Sequence, residues 1–232
     1  MVNTAFSNHS VRNALLVALT FTSGAIDATS YLGLGRVFTA NMTGNMVLLG
    51  LAAGRVQGLE ALRSGTAFAG YVIGVVIGAR LLGRRRDADV WPRRVTLALA
   101  IELVLLCGMT AGWLLTGAQP VRPWLEILIA FSAAAMGIQS AAAQRLAVPG
   151  VATTYVTGTL SSVVTELGLF GHPTTGWPLR AGVVLGLGAG AGLDALVLLH
   201  WPLLAPLVPL LALSDLNRFK DELLDGVAHE LR

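Results

Sequence analysis

Apolar residues run through this 232-residue chain in long stretches, broken by glycine, proline and clusters of charge. A helix that crosses a bilayer needs about 20 mostly apolar residues. The pattern predicts such spans at 13–33, 37–53, 65–83, 95–116, 124–146, 151–170 and 180–200. It therefore predicts an all-α polytopic membrane protein with about seven transmembrane helices. A further apolar piece, Trp201–Leu213, carries prolines at 202, 206 and 209 and reads as a short, partial eighth segment. Residues 214–232 read as a separate amphipathic helix capped by Ser214 and Asp215, with Leu216, Phe219, Leu223, Val227 and Leu231 on one face. That tail is expected to rest on the cytoplasmic surface.

Composition agrees with the pattern. Only 12% of the residues are charged and 54% are hydrophobic, with a mean hydropathy of +0.69. A soluble domain carries about 25% charged residues, so a water-soluble enzyme, a disordered chain and a disulfide scaffold are excluded. Cys107 is the single cysteine, so neither an intrachain disulfide nor a cysteine metal site can form, and His9, His172, His200 and His229 show no metal-ligand spacing. Arg12 followed by apolar Ala14–Phe21 imitates a signal peptide, but cleavage near Ala25 would cut through the repeat described below.

The basic residues orient the spans. Arg84, Arg85, Arg86, Arg93 and Arg94 fall between spans 3 and 4, which should place that connection in the cytoplasm. They are a topology signal rather than a nucleic-acid patch, and no nucleic-acid partner is expected. Seven crossings then put the N-terminus outside and the C-terminus inside. Treating spans 2 and 6 as re-entrant would reverse both termini, and seven crossings are preferred.

The chain also resembles itself. Gly24-Ala-Ile-Asp27 followed by Phe38-Thr-Ala-Asn41-Met-Thr43-Gly44-Asn45 is answered by Met136-Gly-Ile-Gln139 followed by Ala152-Thr-Thr154-Tyr-Val-Thr157-Gly158-Thr159. Gly70, Gly74 and Gly78 are answered by Gly182, Gly186 and Gly190. Glycine at every fourth position lets helices approach closely, so these ladders read as helix–helix contacts, with a homo-oligomer seam as the sharper version. The chain then forms one membrane domain of 3+1+3 spans: repeat A at 13–83, a linker helix at 95–116, repeat B at 124–200, the apolar segment at 201–213 and the tail at 214–232. With seven crossings the repeats are parallel, and transporters built of repeats bind their substrate between them near the midplane.

Polar groups at bilayer depth need a reason. Asp27 lies deep in span 1 opposite Gln139 of the repeat, where it either serves a solute, by carrying a proton or cation or receiving a polar substrate group, or caps a broken helix through backbone N–H groups. Asn41, Thr43, Gly44 and Asn45, with Thr154, Thr157, Gly158 and Thr159, form matched polar clusters at which unwinding would expose backbone to a solute. Glu102 is expected to pair with Arg93 or Arg94, Glu166 to snorkel outward, and Asp194 to pair with Arg80. No catalytic constellation is present, so the chain is not expected to be an enzyme, and no cofactor or metal is implied.

At Gly24–Asp27, Phe38–Asn45 and Val156–Thr159 the sequence resembles the YoaK family of bacterial membrane proteins, over nearly the whole chain. The resemblance implies a multi-pass protein of the bacterial cytoplasmic (inner) membrane and names no substrate. The leading expectation is a small transporter or permease for a polar solute or ion, in which Asp27→Asn abolishes coupled flux and leaves folding intact. The alternative is a non-transporting scaffold or sensor acting through helix contacts and its tail.

Overall fold

The computed structural model of the chain describes residues 2–55, 58–83, 93–146, 156–170 and 176–230. Arg84, Arg85, Arg86 and Thr154 lie outside the described residues, among which there is helix and connection but no strand. The helices are α1 (Val2–Gly33), α2 (Met42–Gly54), α3 (Gly58–Leu82), α4 (Arg93–Leu115), α5 (Trp124–Leu146), α6 (Thr157–Phe170), α7 (Trp177–His200) and α8 (Leu207–Glu230), with one 3-10 turn at Pro202–Leu204. Among the described residues, five stretches are long and apolar enough to cross a membrane: Arg12–Gly33 of α1, and α3, α4, α5 and α7. These coincide with expected spans 1, 3, 4, 5 and 7.

Lipid tails are as apolar as leucine, so helices in a membrane associate through close packing rather than escape from water. The glycines supply that packing here. A Cβ on Gly74 would overlap the Ala134 carbonyl oxygen, and one on Gly137 would overlap that of Tyr71, so α3 and α5 touch backbone to backbone. In the same way Gly190 lies on the Phe21 carbonyl and Gly24 on that of Leu187, joining α7 to α1. Gly70 against Ala130, Gly78 against Ile138, and Gly182 and Gly186 against Val17 extend the two seams. Both glycine ladders are thus occupied within the chain.

The seams also give direction. Residue numbers rise together along α3 and α5, and along α1 and α7, so each pair is parallel. Along α4 and α5 they run oppositely, with Gly108 at Phe131 and Gly112 at Leu128. One buried cluster joins the end of α1 (Leu34) to the start of α3 (Ala67), the end of α4 (Trp113) and the start of α5 (Leu125). The other joins Leu15 and Leu19 of α1 to Leu82, Val95 and Leu146. We call the first end of the bundle the upper face and the second the lower. Helices α1, α4 and α7 rise, whereas α3 and α5 descend.

The expected parallel arrangement is therefore corrected. Spans 1 and 3 run in opposite directions, because the segment between them turns back instead of crossing. Helix α2 has only 13 residues and α6 only 14, about 20 Å each at 1.5 Å per residue, short of the roughly 30 Å hydrocarbon core. An axis along the membrane normal cannot relate the stretch α1–α3 to the stretch α5–α7. The tail is corrected too. Helix α8 is continuous from Leu207, and Ser214 and Asp215 start nothing. Trp113 Nε1 donates to the Pro202 carbonyl at 2.9 Å, Thr110 Oγ1 meets the Pro206 carbonyl at 3.5 Å, and Leu213 and Leu216 join the lower cluster. The chain thus descends again beside α1 and α4.

The seams generate a paired prediction. Gly74→Ala and Gly190→Ala force backbones apart and should each destabilise the protein by about 1–3 kcal/mol. Gly188→Ala and Gly192→Ala meet open space and should be neutral or stabilising by up to about 1 kcal/mol. Thermal unfolding in detergent of the four variants checks the contrast.

Candidate functional site

Helix α1 ends at Gly33, and the chain reverses through Gly35 and Arg36, both at positive φ (82° and 64°). It then runs back down along α1 without helical hydrogen bonds. Backbone N–H groups at that depth find no water, so each must be met from within the protein. Asp27 meets three of them. Its Oδ1 accepts from the N–H groups of Thr39 at 2.9 Å and Ala40 at 2.8 Å, and its Oδ2 accepts from Asn41 at 3.1 Å. Of the two roles expected for Asp27, the structure places it in the second, holding a broken helix.

The residues around it complete the turn. Asn45, buried in the first turn of α2, accepts from the Phe38 N–H at 2.9 Å and donates through Nδ2 to the Phe38 carbonyl. The Asn41 side chain accepts from the Gly44 N–H at 3.3 Å and so caps α2. Gly44 leaves room for the Phe38 ring, which a Cβ there would approach to 2.8 Å. That ring stacks on Tyr31 with centroids 4.9 Å apart. A chain of buried hydroxyls, Ser30 to Thr39 at 2.7 Å and Thr39 to Ser132 at 2.8 Å, ties the turn to α1 and α5. Thr43 is exposed and stands apart from this clamp.

From Asp27, α2 climbs back to the upper face, where Leu48, Leu51 and Arg55 share a pocket with Leu32, Gly35 and Arg36. Helix α6 is its counterpart from below. Its start, Val156 and Thr157, lies level with Gly24 and Leu187, and its Glu166 is ion-paired with Arg180 near the lower end of α7. The N-terminal ends of the two half-helices thus face one another at mid-depth. Between them is a cavity of about 360 Å³ whose lining includes Asp27, Phe38, Asn41, Thr157, Leu160 and Leu187.

The expected site residues therefore divide. Asp27, Asn41 and Thr157 line one cavity, while Gly44 and Asn45 shape its wall. Thr157 and Gly158 are exposed and Thr159 is buried. Gln139 is elsewhere: its Nε2 donates to the Leu19 carbonyl at 3.0 Å and to Ser23 Oγ at 2.7 Å, tying α5 to α1. It does not face Asp27, because α5 and α1 run in opposite directions. Asp194 accepts from Thr29 Oγ1 at 2.6 Å rather than pairing with Arg80, which the reversal of α3 carries to the other face. Glu102 is buried without a hydrogen-bond partner, and Arg94 donates instead to the Leu82 carbonyl at 3.3 Å. Glu166 pairs with Arg180 where snorkelling was expected. The hydroxyl chain escaped sequence reading because serine and threonine in a span usually bond back to their own helix, as Thr20 and Ser23 do here.

Chemically, the cavity offers two helix N-termini, each with partial positive charge. At α2 the Asp27 carboxylate answers that charge. The amide of Asn41 and the hydroxyl of Thr157 remain to orient a guest by hydrogen bonds. Among the described residues no cluster of three or more His, Cys, Asp or Glu side chains could hold a metal.

Residues 15–214 match the family described as "Protein of unknown function (DUF1275)". The UPF0700 transmembrane protein YoaK of Bacillus subtilis (strain 168) is 41% identical over 156 residues, covering 67% of this chain and 67% of that protein. No solved structure matches.

The clamp predicts which motif residues matter to stability. Asp27→Ala strands three backbone N–H groups and should cost about 3 kcal/mol or more. Asp27→Asn turns one acceptor into a donor facing the Asn41 N–H and should cost about 2 kcal/mol, contrary to the sequence-based expectation that folding stays intact. Asn45→Ala should be similarly damaging, whereas Thr43→Ala should lie within about 0.5 kcal/mol of the parent. Thermal unfolding in detergent distinguishes these.

Proposed function

The chain belongs to the family of transmembrane proteins of unknown function that includes YoaK, and we propose that it is a small permease for a polar solute or ion. The observation that carries this reading is the cavity at mid-depth, set between two half-helices that enter from opposite faces. Discontinuous helices whose N-termini meet at the midplane are how many secondary transporters build a substrate site. A protein serving only as a scaffold has no need of a polar opening at that depth.

The repeat supports the same reading once its sense is reversed. The packing of Gly186 and Gly190 of α7 on α1 has its counterpart in that of Gly74 and Gly78 of α3 on α5. Exchange of the two units carries α1 onto α5, α2 onto α6 and α3 onto α7, with opposite direction through the membrane. We take the units as inverted repeats about an axis in the membrane plane. The seams α1–α7 and α3–α5 then act as two rigid bodies, each combining a helix from either unit, that rock to open the cavity to one side and then the other.

Charge supports an orientation. Among the described residues, assigning each of the 12 basic ones to the end at which its helix places it leaves only Arg36, Arg55, Arg63 and Arg122 on the upper face. The other eight lie on the lower face, which makes it the cytoplasmic one in the bacterial inner membrane. The start of α1 and the end of α8 then both lie inside, so the outside placement expected for the N-terminus is replaced. The partners are the bilayer and the solute, and we assign no catalytic step.

A water-filled path separates this reading from a scaffold or sensor. In a Cys107→Ser background, Thr157→Cys and Val184→Cys, which line the cavity, should react with a polar methanethiosulfonate reagent at least about tenfold faster than Leu185→Cys, since only a hydrated thiol ionises. Leu185 is 70% exposed on α7 and should face lipid. Equal, slow reaction at all three positions would contradict the permease and favour the scaffold.

A further inference from the structure

A second pocket, of about 530 Å³, opens at the upper face where α1 ends, α2 ends and α3 begins. Three arginines from three different elements line it: Arg36 from the turn after α1, Arg55 from the C-cap of α2 and Arg63 from α3. Glu60, Tyr31 and Ser64 complete its polar wall. The two ion pairs among the described residues are Arg122–Glu126 and Arg180–Glu166, so Glu60 neutralises none of the three within ion-pair distance. The pocket gathers a net charge of +2.

Its construction favours an occupant. Arg63 lies across Gly35, where a Cβ would approach its Cδ to 2.9 Å and its Nη1 to 3.0 Å, and φ of +82° suits glycine there. The Arg63 Nε is shielded from solvent and has no hydrogen-bond partner, although a buried donor ordinarily has one. Arg36 is held at φ 64°, a conformation most side chains avoid. Inside-positive bias does not account for the cluster, because it draws basic residues to the opposite face. Three guanidinium groups turned into one pocket repel each other unless an anion lies between them. Their planar forks match phosphate oxygens in bidentate fashion.

We propose that this pocket binds a phosphate group, carried either by an anionic lipid headgroup or by a free phosphate. Binding there does not require that any solute cross the membrane. The site is also distinct from the central cavity. Tyr31 lines the upper pocket and Phe38 the central one, and the stack of these two rings forms the wall between them. An occupant bound by Arg36, Arg55 and Arg63 therefore sits directly above that wall.

The test uses the delipidated full-length protein in neutral detergent, followed by thermal unfolding. The probes are inorganic phosphate against chloride at equal ionic strength, and phosphatidylglycerol against zwitterionic phosphatidylcholine in the micelles. At about 100 times the dissociation constant, phosphatidylglycerol or inorganic phosphate should raise Tm by roughly 5 °C or more over its control. Arg36→Gln and Arg55→Gln should together remove the shift, while Arg122→Gln, which breaks a pair on the same face, should retain it. These exposed positions avoid the packing role of Arg63. A shift with phosphatidylglycerol alone identifies a lipid headgroup as the occupant, and a shift with inorganic phosphate identifies a soluble one. No shift with either probe overturns the proposal, as does a shift that survives in the Arg36→Gln/Arg55→Gln protein.

Discussion

A chain that turns back inside a bilayer brings backbone N–H groups to a depth without water, and here one carboxylate receives three of them. The Asp27 contacts with Thr39, Ala40 and Asn41 make it possible for residues 37–41 to run beside α1 without helical hydrogen bonds. Everything above that level depends on it. Helix α2 starts at mid-depth instead of at a surface, its capping amide faces a cavity, and α3 begins on the face where α1 ended. Were the clamp absent, the same segment would have to run as a continuous helix to satisfy its own backbone, and every later helix would reverse direction.

Close packing by glycine supplies the second requirement. A half-helix of 13 residues covers little surface, so the scaffold around it must hold its shape without help. The α1–α7 and α3–α5 seams do so by backbone contact at Gly24, Gly190, Gly74 and Gly137. Hydroxyls then connect the clamp to the rigid parts, through Ser30 and Ser132 on either side of Thr39. Two of the acids that remain at depth are tied down by hydrogen bonds: Asp27 is clamped, and Asp194 is held between helices by Thr29.

Sequence reading found the helical class, the five long spans and the cluster from Asp27 to Asn45, since these depend on length, hydrophobicity and residue type. It misread direction. Residues 37–53 contain enough apolar side chains for a crossing, yet their first five form a non-helical turn that descends to mid-depth, leaving a helix that only climbs back. Hydropathy counts apolar residues and is blind to where a chain turns. Once two segments fail to cross, Gln139 no longer faces Asp27, Arg80 and Asp194 lie on opposite faces, and the tail has to descend as α8. The arginine pocket was illegible for a related reason: Arg36, Arg55 and Arg63 are far apart in sequence and meet only because α2 returns to the face that α1 reached.

The direction of α2 is what the rest of the architecture hangs on, and it is open to direct measurement. In a Cys107→Ser background, single cysteines at Arg36, just after α1, and at Gly54, the last residue of α2, can be labelled in oriented vesicles with a membrane-impermeant thiol reagent. A re-entrant α2 brings both positions to the same face, so both label from the same side. If α2 crosses the membrane, the two cysteines label from opposite sides, and the inverted architecture fails.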